Sequence, residues 1–272
     1  LWEPWTVLNQ HGESYKVFTP FYRKGCLMSE EPRAIVSNQI PLKYISDNKM
    51  TIEPIDIKNW DISEDGAKKQ FQQFIENGLD GYKTLRDFPS KPNTSRLSPY
   101  LHFGMISPHT MWHHIKGLMG IIPDKDIDHF LSELGWREFS YYQLYHHPTL
   151  PSENWQKKFD HFEWENNAEH LKAWQNGQTG MPIVDAAMRE LNQTGYMHNR
   201  MRMVTASFLI KNLLIDWREG EKWFWEHLYD ADLASNSASW QWVAGSGFDA
   251  ALTLESLTLF YRGRNLTQMA ST

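Results

Sequence analysis

Apolar residues at helical spacing are the feature that most constrains the fold of this chain. Between Asp126 and His147, large apolar side chains such as Phe130 and Phe139 recur near the 3.6-residue period of an α-helix. Two further runs, Met181–Thr194 and Met201–Trp217, have the same period, and the second is apolar on most faces, which predicts a buried helix. No stretch of useful length alternates apolar and polar residues as a β-strand does, and no internal repeat is visible. The sequence therefore predicts an all-α fold.

The helical pattern begins near Trp60. Residues 1–59 mix Pro, polar and short apolar stretches without sustained periodicity, so we interpret them as an irregular interdomain connector. A cluster of Asp, Ser, Glu and Asp directly after Trp60 predicts the start of the first long helix. The predicted helical domain covers residues 60–251, with one of its later helices over Lys222–Leu228.

Charge and cysteine content narrow the function classes. The formal net charge of −6 argues against a dedicated nonspecific DNA-binding protein, which is usually basic, but a local basic cleft could still bind phosphates. The single cysteine, Cys26, excludes an internal disulfide and is typical of a reducing compartment, so we expect a cytoplasmic protein. No signal peptide and no apolar run of roughly 18 residues is found, so no membrane association is expected. Because the first residue is Leu1, we interpret the chain as starting inside a longer protein.

Three short motifs carry polar chemistry. Residues 94–99 place hydroxyl groups before a helical stretch, which suits either a phosphate or a simple helix cap. Glu133, Trp136 and Arg137 share one helix face, where they could contact a base edge, a base plane and a phosphate, or form a surface ion pair beside a half-buried Trp. In residues 198–203, Asn199, Arg202 and Met203 share a face and Arg200 is expected to point away, an arrangement that suits an anionic ligand or solvent.

A pair of carboxylates, Asp230 and Asp232, lies before the segment Trp240-Gln241-Trp242. The oxygen donors of a calcium loop are absent around them, but carboxylates can also accept hydrogen bonds from ribose hydroxyls or a flavin edge. The histidines do not complete any known ligand spacing with Glu or Cys, so no metal site is expected. These histidines are His109, His113, His114, His146 and His147.

In order and over nearly the whole chain, these segments resemble the photolyase/cryptochrome family. The segment Val17–Phe21 resembles the family's interdomain segment, Tyr82 with residues 94–98 its flavin-phosphate site, and Trp136-Arg137-Glu138 its lesion-facing helix. The most specific matches are the segments Thr179–Arg189 and Met197–Arg200. Asp230, Asp232, Asn236, Trp240 and Trp242 complete the pattern.

The resemblance implies a U-shaped FAD buried in a helical domain. It assigns cofactor contacts to Tyr82, Thr94, Ser95, Arg96, Leu97, Ser98, Asn199, Arg202, Asp230, Ala231, Asp232 and Asn236. Of these, Asn236 would face flavin N5. Plant photoreceptors of the family usually carry Asp there and animal ones Cys, so Asn favours repair, because a neutral amide can stabilise the reduced flavin radical by hydrogen bonding.

The resemblance also implies catalytic and DNA-binding residues. The catalytic residues would be Glu133 and Asn236, together with the electron-transfer chain Trp240, Trp217 and Trp164. The residues implied to contact DNA are Arg86, Glu133, Trp136, Arg137, Asn199, Arg200, Met203 and Trp242. Enzymes for (6-4) lesions carry His at the positions of Asn199 and Met203, so the resemblance is closest to class I cyclobutane-dimer photolyases.

The implied function is light-driven repair of cyclobutane pyrimidine dimers by electron transfer from reduced FAD, with damaged DNA as the partner of a monomeric protein. The first alternative is a blue-light photoreceptor that binds FAD but does not repair dimers. The second is a helical DNA-binding module without a cofactor, which would be colourless. The antenna pigment is not determined by these residues, since most of its site belongs to an N-terminal domain of the family.

The segment 252–272 departs from the family after Ala251. A back-translation with freely chosen synonymous codons converts it to the family's sequence when one C is restored before Leu252. We therefore interpret residues 252–272 as a frameshifted tail, with a divergent natural terminus as the alternative. An intact reading frame in the source DNA, with no plausible missing base, would contradict this interpretation.

Overall fold

The computed structural model describes residues 1–35, 57 and 60–250. Within them the chain is helical, with only an isolated bridge between Met119 and Ile122 in place of a strand, so the predicted all-α fold is confirmed. The predicted frameshifted tail, residues 252–272, lies outside the described residues, as does most of the later part of the predicted connector.

Eleven helices follow one another along the described part of the chain. They are α1 (Phe18–Pro20), α2 (Glu64–Asn77), α3 (Tyr82–Leu85), α4 (Ser98–His102), α5 (Pro108–Lys116), α6 (Asp124–His146), α7 (Ala168–Gln175), α8 (Pro182–Thr194), α9 (Asn199–Lys211), α10 (Trp217–His227) and α11 (Leu233–Ala244). A π-helical turn over Phe21–Cys26 continues α1, and a 3₁₀ turn covers Lys157–His161.

Local capping explains several of these boundaries. Helix α2 begins where predicted, because the Ser63 hydroxyl accepts a hydrogen bond from the N–H of Gly66. Helix α11 begins in the same way, with the Asp232 carboxylate accepting from the N–H of Ser235. Helix α8 ends at Gly195, whose φ of 66° is the left-handed conformation that glycine adopts without strain.

The helix predicted over Met201–Trp217 is too long. Helix α9 ends at Lys211, Leu214 adopts a left-handed φ of 50°, and Asp216 caps the start of α10. The apolar pattern continues through the break because Ile215 and Trp217 are both fully buried, so periodicity alone could not locate it.

Part of the predicted connector belongs to the core. Phe18, Phe21, Tyr22 and Cys26 are all buried, and they occupy the inner side of α1 and the π-helical turn. Counted from Phe18, the other three follow at three, four and eight residues, which is helical spacing. The segment is short and contains Pro20, so its local pattern does not predict a helix.

Two apolar clusters divide the interior. One contains buried residues of the N-terminal segment, α2, α5 and α6, and the other contains buried residues of α8, α9, α10 and α11. Helix α11 packs against α6, α9 and α10, and therefore stands between the two clusters. None of the described helices is long and apolar enough to cross a membrane.

Candidate functional site

A cavity of about 710 Å³ lies between the two clusters. Its walls come from α3, α6, α9 and α11, together with residues 94–98 and 228–232. This volume is in the range of sites that enclose a cofactor-sized ligand.

Most of the predicted site residues line this one cavity. They are Tyr82, Arg86, Thr94, Ser95, Arg96, Ser98, Glu133, Trp136, Arg137, Asn199, Arg200, Arg202, Met203, Asp230, Ala231, Asp232, Asn236, Trp240 and Trp242. Arg200 was expected to point away from this face, but it reaches the cavity and forms an ion pair with Asp87 at 2.6 Å. Leu97 does not line the cavity, because its side chain is buried in the core.

A partly buried ion pair lies on one wall, between a partly exposed arginine and a buried carboxylate. Arg202 Nη2 donates to Asp230 Oδ2 at 2.8 Å, and Arg202 Nε donates to the carbonyl of Met197 at 2.8 Å. Although burial lowers it, the pKa of the Arg202 guanidinium is raised by the adjacent Asp230 carboxylate. The other carboxylate oxygen, Oδ1 of Asp230, is buried without a hydrogen-bond partner. Such an acceptor is costly to bury unpaired, so it is a natural contact for a ligand donor.

The segment 94–98 presents a cation and hydroxyl groups to the same cavity. The carbonyl of Ser95 accepts a hydrogen bond from Gln70 Nε2 at 2.8 Å, which fixes the segment against α2. Arg96 has a left-handed φ of 52°, and its guanidinium lies 4.7 Å from the ring centroid of Tyr196 and 5.3 Å from that of Trp60. Stacking on two rings holds this cation at the cavity wall, where it can face an anion.

One face of α6 forms another part of the cavity wall. Glu133 forms an ion pair with Arg86, whose guanidinium also lies 3.3 Å from the Nε2 of His129. Burial, together with the nearby Arg86 and Lys83, lowers the pKa of His129 despite the opposing Glu133 carboxylate. A neutral His129 therefore leaves the Arg86–Glu133 pair as the main charge interaction on this wall.

Trp136 is held in place by an aromatic partner that the sequence did not predict. The ring of Phe18 stacks on Trp136 with 3.7 Å between centroids and 11° between planes. One face of the indole is therefore covered by protein, and a ligand base could stack only on the other. The only sequence signal for Phe18 was its place in the segment that resembles the family's interdomain region.

Helix α11 brings two predicted residues to the cavity. Asn236 Nδ2 donates to the carbonyl and to Oε1 of Glu221, at 3.0 Å each, and Glu221 was not predicted. Asp232 caps the helix through Oδ1, and its Oδ2 accepts from the hydroxyl of Tyr141. Both Asp232 oxygens thus have protein partners, and any ligand contact is additional to its capping role.

Of the three predicted electron-transfer residues, only Trp240 lines the cavity. Trp217 is fully buried in the same apolar cluster as Trp240, and Trp164 is partly buried against that cluster. Gly220, one turn after Trp217 in α10, packs so closely on the Trp240 ring that a Cβ there would overlap it. The segment carrying Trp164 is joined to the start of α10, since the N–H of Glu165 donates to the carbonyl of Leu214 at 2.8 Å.

In the described part of the chain, no group of three or more His, Cys, Asp or Glu side chains is arranged to hold a metal ion. The His146 imidazole instead contacts the carbonyl of Pro4, and His113 contacts the carbonyls of Pro32 and Arg33. These histidines therefore connect the N-terminal segment to α5 and α6.

Comparison with known proteins gives consistent matches. The deoxyribodipyrimidine photo-lyase of Agrobacterium fabrum is 47% identical over 92% of this chain and 55% of its own length. The enzyme of the same name from Escherichia coli is 43% identical over 91% of this chain and 55% of its length. The chain thus spans about half the length of these curated relatives.

Solved structures agree with the sequence matches. A bacterial class III photolyase from Agrobacterium tumefaciens superposes with a TM-score of 0.82 and 47% identity, over 92% of this chain and 54% of that one. A cryptochrome from Synechocystis superposes with a TM-score of 0.76 and 26% identity, over 98% of this chain and 60% of that one. The expected class I assignment is not confirmed, since the first of these structures is a class III enzyme.

The sequence profile of the family described as "FAD binding domain of DNA photolyase" matches residues 130–267. This match extends into the segment that begins at Leu252, whose frameshifted origin stays a prediction. It also includes most of α6 and all of α9 and α11, which contribute many of the residues that line the cavity. The chain therefore belongs to the family of FAD-binding domains of DNA photolyases.

Proposed function

We propose that this chain binds FAD and supports light-driven repair of cyclobutane pyrimidine dimers in DNA. The observation that carries the proposal is that one cavity joins two predicted sets of residues. With the exception of Leu97, the residues expected to hold the cofactor and those expected to hold the lesion line the same space of about 710 Å³. Deoxyribodipyrimidine photo-lyases are the relatives with 43–47% identity, which supports the same activity here.

The cavity walls fit FAD by their chemistry. The unpaired Oδ1 of Asp230 can accept from an N–H or O–H donor, and a flavin edge and a ribose provide both kinds. The Arg96 guanidinium and the hydroxyls of Thr94, Ser95 and Ser98 suit the diphosphate. Reduced FAD, when bound, supplies the light-excited electron that opens the cyclobutane ring, which is chemistry that no amino-acid side chain provides.

The protein binds and orients the lesion in this proposal. Enzymes of this family act on a nucleotide that has left the base stack. Trp136, supported from behind by Phe18, offers one indole face, and Trp242, which is 36% exposed, offers a second aromatic surface. Glu133 is fixed by its ion pair with Arg86 and can accept a hydrogen bond from a base edge.

Binding of the flanking DNA depends on local cations, because the chain as a whole is acidic. Arg137 and Arg200 line the cavity with side chains that are 26% and 27% exposed. Each is paired with a carboxylate, Arg137 with Glu138 at 3.7 Å and Arg200 with Asp87 at 2.6 Å. These carboxylates weaken the electrostatic attraction of the two arginines for DNA phosphates. Affinity for damaged DNA should therefore rest more on stacking in the cavity than on phosphate contacts.

The test is to load the purified chain with FAD, reduce the flavin chemically and illuminate it with an oligonucleotide containing one thymine dimer. Loss of the dimer in light but not in darkness is expected. A yellow protein with no dimer loss would favour the photoreceptor alternative, and a colourless protein that resists loading would favour the DNA-binding module. Gel filtration of the same preparation checks the expected monomer, and cell fractionation checks the expected cytoplasmic location.

A further inference from the structure

The indole N–H of Trp217 has a specific, fully enclosed partner. Trp217 is 0% exposed, and its Nε1 donates to Oδ1 of Asn154 at 2.9 Å. Asn154 is itself only 4% exposed, although it lies in the irregular segment that follows α6. This contact joins two residues that are 63 positions apart in sequence, and Asn154 had no predicted role.

The orientation of the Asn154 amide is fixed by its other partner. Asn154 Nδ2 donates to Oδ1 of Asp160 at 2.9 Å, and an ionised carboxylate can only accept hydrogen bonds. The carbonyl oxygen of the amide must therefore face Trp217. As a result, the group that touches the indole N–H is a neutral amide oxygen, which is a very weak base. The Asp160 carboxylate contacts the other end of the amide and does not reach the indole N–H.

A cation lies close to the same ring. The Arg218 guanidinium is 4.7 Å from the centroid of Trp217, and it is held by Asp216 through two contacts of 3.1 and 2.9 Å. A nearby positive charge disfavours a second positive charge on the indole. A radical cation on Trp217 (an electron vacancy) has no base at its N–H to accept the proton, and the positive charge of Arg218 beside its ring does not stabilise it.

The position of Trp217 makes this environment relevant to electron transfer. On one side, Gly220 brings α10 against the ring of Trp240, which lines the cavity. On the other side, the backbone N–H of Asp216 donates to Oδ1 of Asn166 at 2.9 Å, which holds the segment of Trp164 beside Trp217. The helix that carries Trp217 is therefore packed on a cavity tryptophan and bonded to the segment of a more exposed tryptophan, which is the order that an electron path through Trp217 requires.

We propose that Asn154 is a positioning residue that keeps the proton on Trp217 while an electron passes through it. The inference rests on the proposed function, with photoexcited oxidised FAD as the oxidant. The Trp240 radical cation takes one electron from Trp217, which becomes a radical cation and retains its Nε1 proton. Trp164 then gives one electron to Trp217 and releases its own proton to water. A base at the position of Asn154 would remove the Trp217 proton and stop the electron vacancy there.

The test is transient absorption spectroscopy of the FAD-loaded chain with the substitution Asn154→Asp, which places a carboxylate against the indole N–H. The deprotonated tryptophan radical should form earlier than in the parent chain, and the yield of photoreduced flavin should fall several-fold. Asn166→Asp is the matched control, because it adds the same charge nearby at an exposed position and keeps its acceptor for Asp216. A parent-like radical spectrum and yield in Asn154→Asp would overturn the proposal.

A second variant tests the inference without altering Asn154. In Trp164→Phe the vacancy should stop at Trp217, remain a protonated radical cation and disappear by recombination, without a solvent deuterium isotope effect. A deprotonated radical on Trp217 in this variant would overturn the role of Asn154. It would leave the electron path standing, because such a radical forms only after Trp217 has lost an electron. Absence of any tryptophan radical in the FAD-loaded parent chain would overturn the electron path through Trp240, Trp217 and Trp164, and this inference with it. The proposed function would fail separately, if chemically reduced flavin did not repair the dimer in light.

Discussion

Glu221 fixes the amide of Asn236, because its backbone carbonyl and its Oε1 each accept a hydrogen bond from Asn236 Nδ2 at 3.0 Å. Both partners are acceptors, so the nitrogen of the amide must face Glu221 and the Asn236 oxygen is left for the cavity. Burial raises the pKa of Glu221, whereas the hydrogen bonds from Ser237 and Asn236 act in the opposite direction. The orientation of the predicted N5-facing residue thus depends on a carboxylate fifteen positions away in the sequence.

Replacing Glu221 with Leu should weaken this orientation, because only the backbone carbonyl at position 221 then accepts from Asn236. Gln at the same position keeps a side-chain acceptor and is the matched control. In the FAD-loaded chain we expect the reduced flavin of Glu221→Leu to reoxidise in air several-fold faster than that of Glu221→Gln. Equal reoxidation rates in the two variants would show that the Asn236 orientation does not depend on the Glu221 side chain.

Replacing Phe18 with Leu should weaken binding of dimer-containing DNA. The stacked pair with Trp136 is worth about 0.5–1.5 kcal/mol beyond area burial, so we expect about a 2- to 10-fold loss of affinity. Binding of undamaged DNA should change little, because phosphate contacts do not read the lesion. Phe103→Leu is the control, since Phe103 is 64% exposed. Equal losses for both kinds of DNA in Phe18→Leu would contradict its role behind Trp136.

Gly220→Ala should displace Trp240. The new methyl group would overlap the Trp240 ring and come within 2.6 Å of Leu209 Cδ2, so a neighbour must move. Overpacking of this kind costs about 1–3 kcal/mol in the free energy of unfolding. Glu219→Ala, at the preceding exposed position of α10, is the control and should cost much less. Denaturant unfolding checks the difference, and equal stability of the two variants would count against the close packing.

The stability of the protein should fall as the pH is lowered from about 6.5 to about 4. Burial lowers the pKa of His198 to about 4, and its Nδ1 accepts from the N–H of Arg200 at the start of α9. Below pH 6.5, the pKa of histidine in the unfolded chain, the unfolded state binds a proton that the folded state does not, and unfolding is favoured. This continues until the folded imidazole is protonated as well, near pH 4. The free energy of unfolding should fall by up to about 3 kcal/mol over this range.

His198→Asn is the variant that checks this prediction. Asn can cap α9 without titrating, so its free energy of unfolding should lack this component between pH 6.5 and 4. The measurement is the difference between parent and variant in denaturant unfolding at several pH values. A difference that stays constant over this range would contradict a buried, neutral His198.

The helices that the sequence predicted well are those marked by capping residues or by a long run of apolar residues at helical spacing. Helix α2 combines an N-cap serine with apolar spacing, and α6 repeats its apolar residues over six turns, so short-range patterns suffice. The overrun from Met201 to Trp217 and the missed turn at Phe18 are failures of the same method. In the first, apolar spacing continues across a break at Leu214, and in the second the helical stretch is too short to stand out.

The candidate site divides in a similar way. Residues that belong to compact motifs, such as Glu133 and Asn199, were placed in the cavity by family resemblance, and they line it. Phe18, Glu221 and Asn154 were missed because each acts on another residue through a tertiary contact. No local pattern marks such partners, since their effect depends on which helices pack together.

The unpaired Oδ1 of Asp230 has a consequence for the life of the protein in a cell. A ligand that satisfies this oxygen binds the folded chain and not the unfolded one, so it raises the free energy of unfolding by mass action. Small changes in that free energy alter how much of a protein is degraded by cellular proteases. The steady-state amount of this protein should therefore follow the cell's supply of flavin, even when the rate of its synthesis is constant.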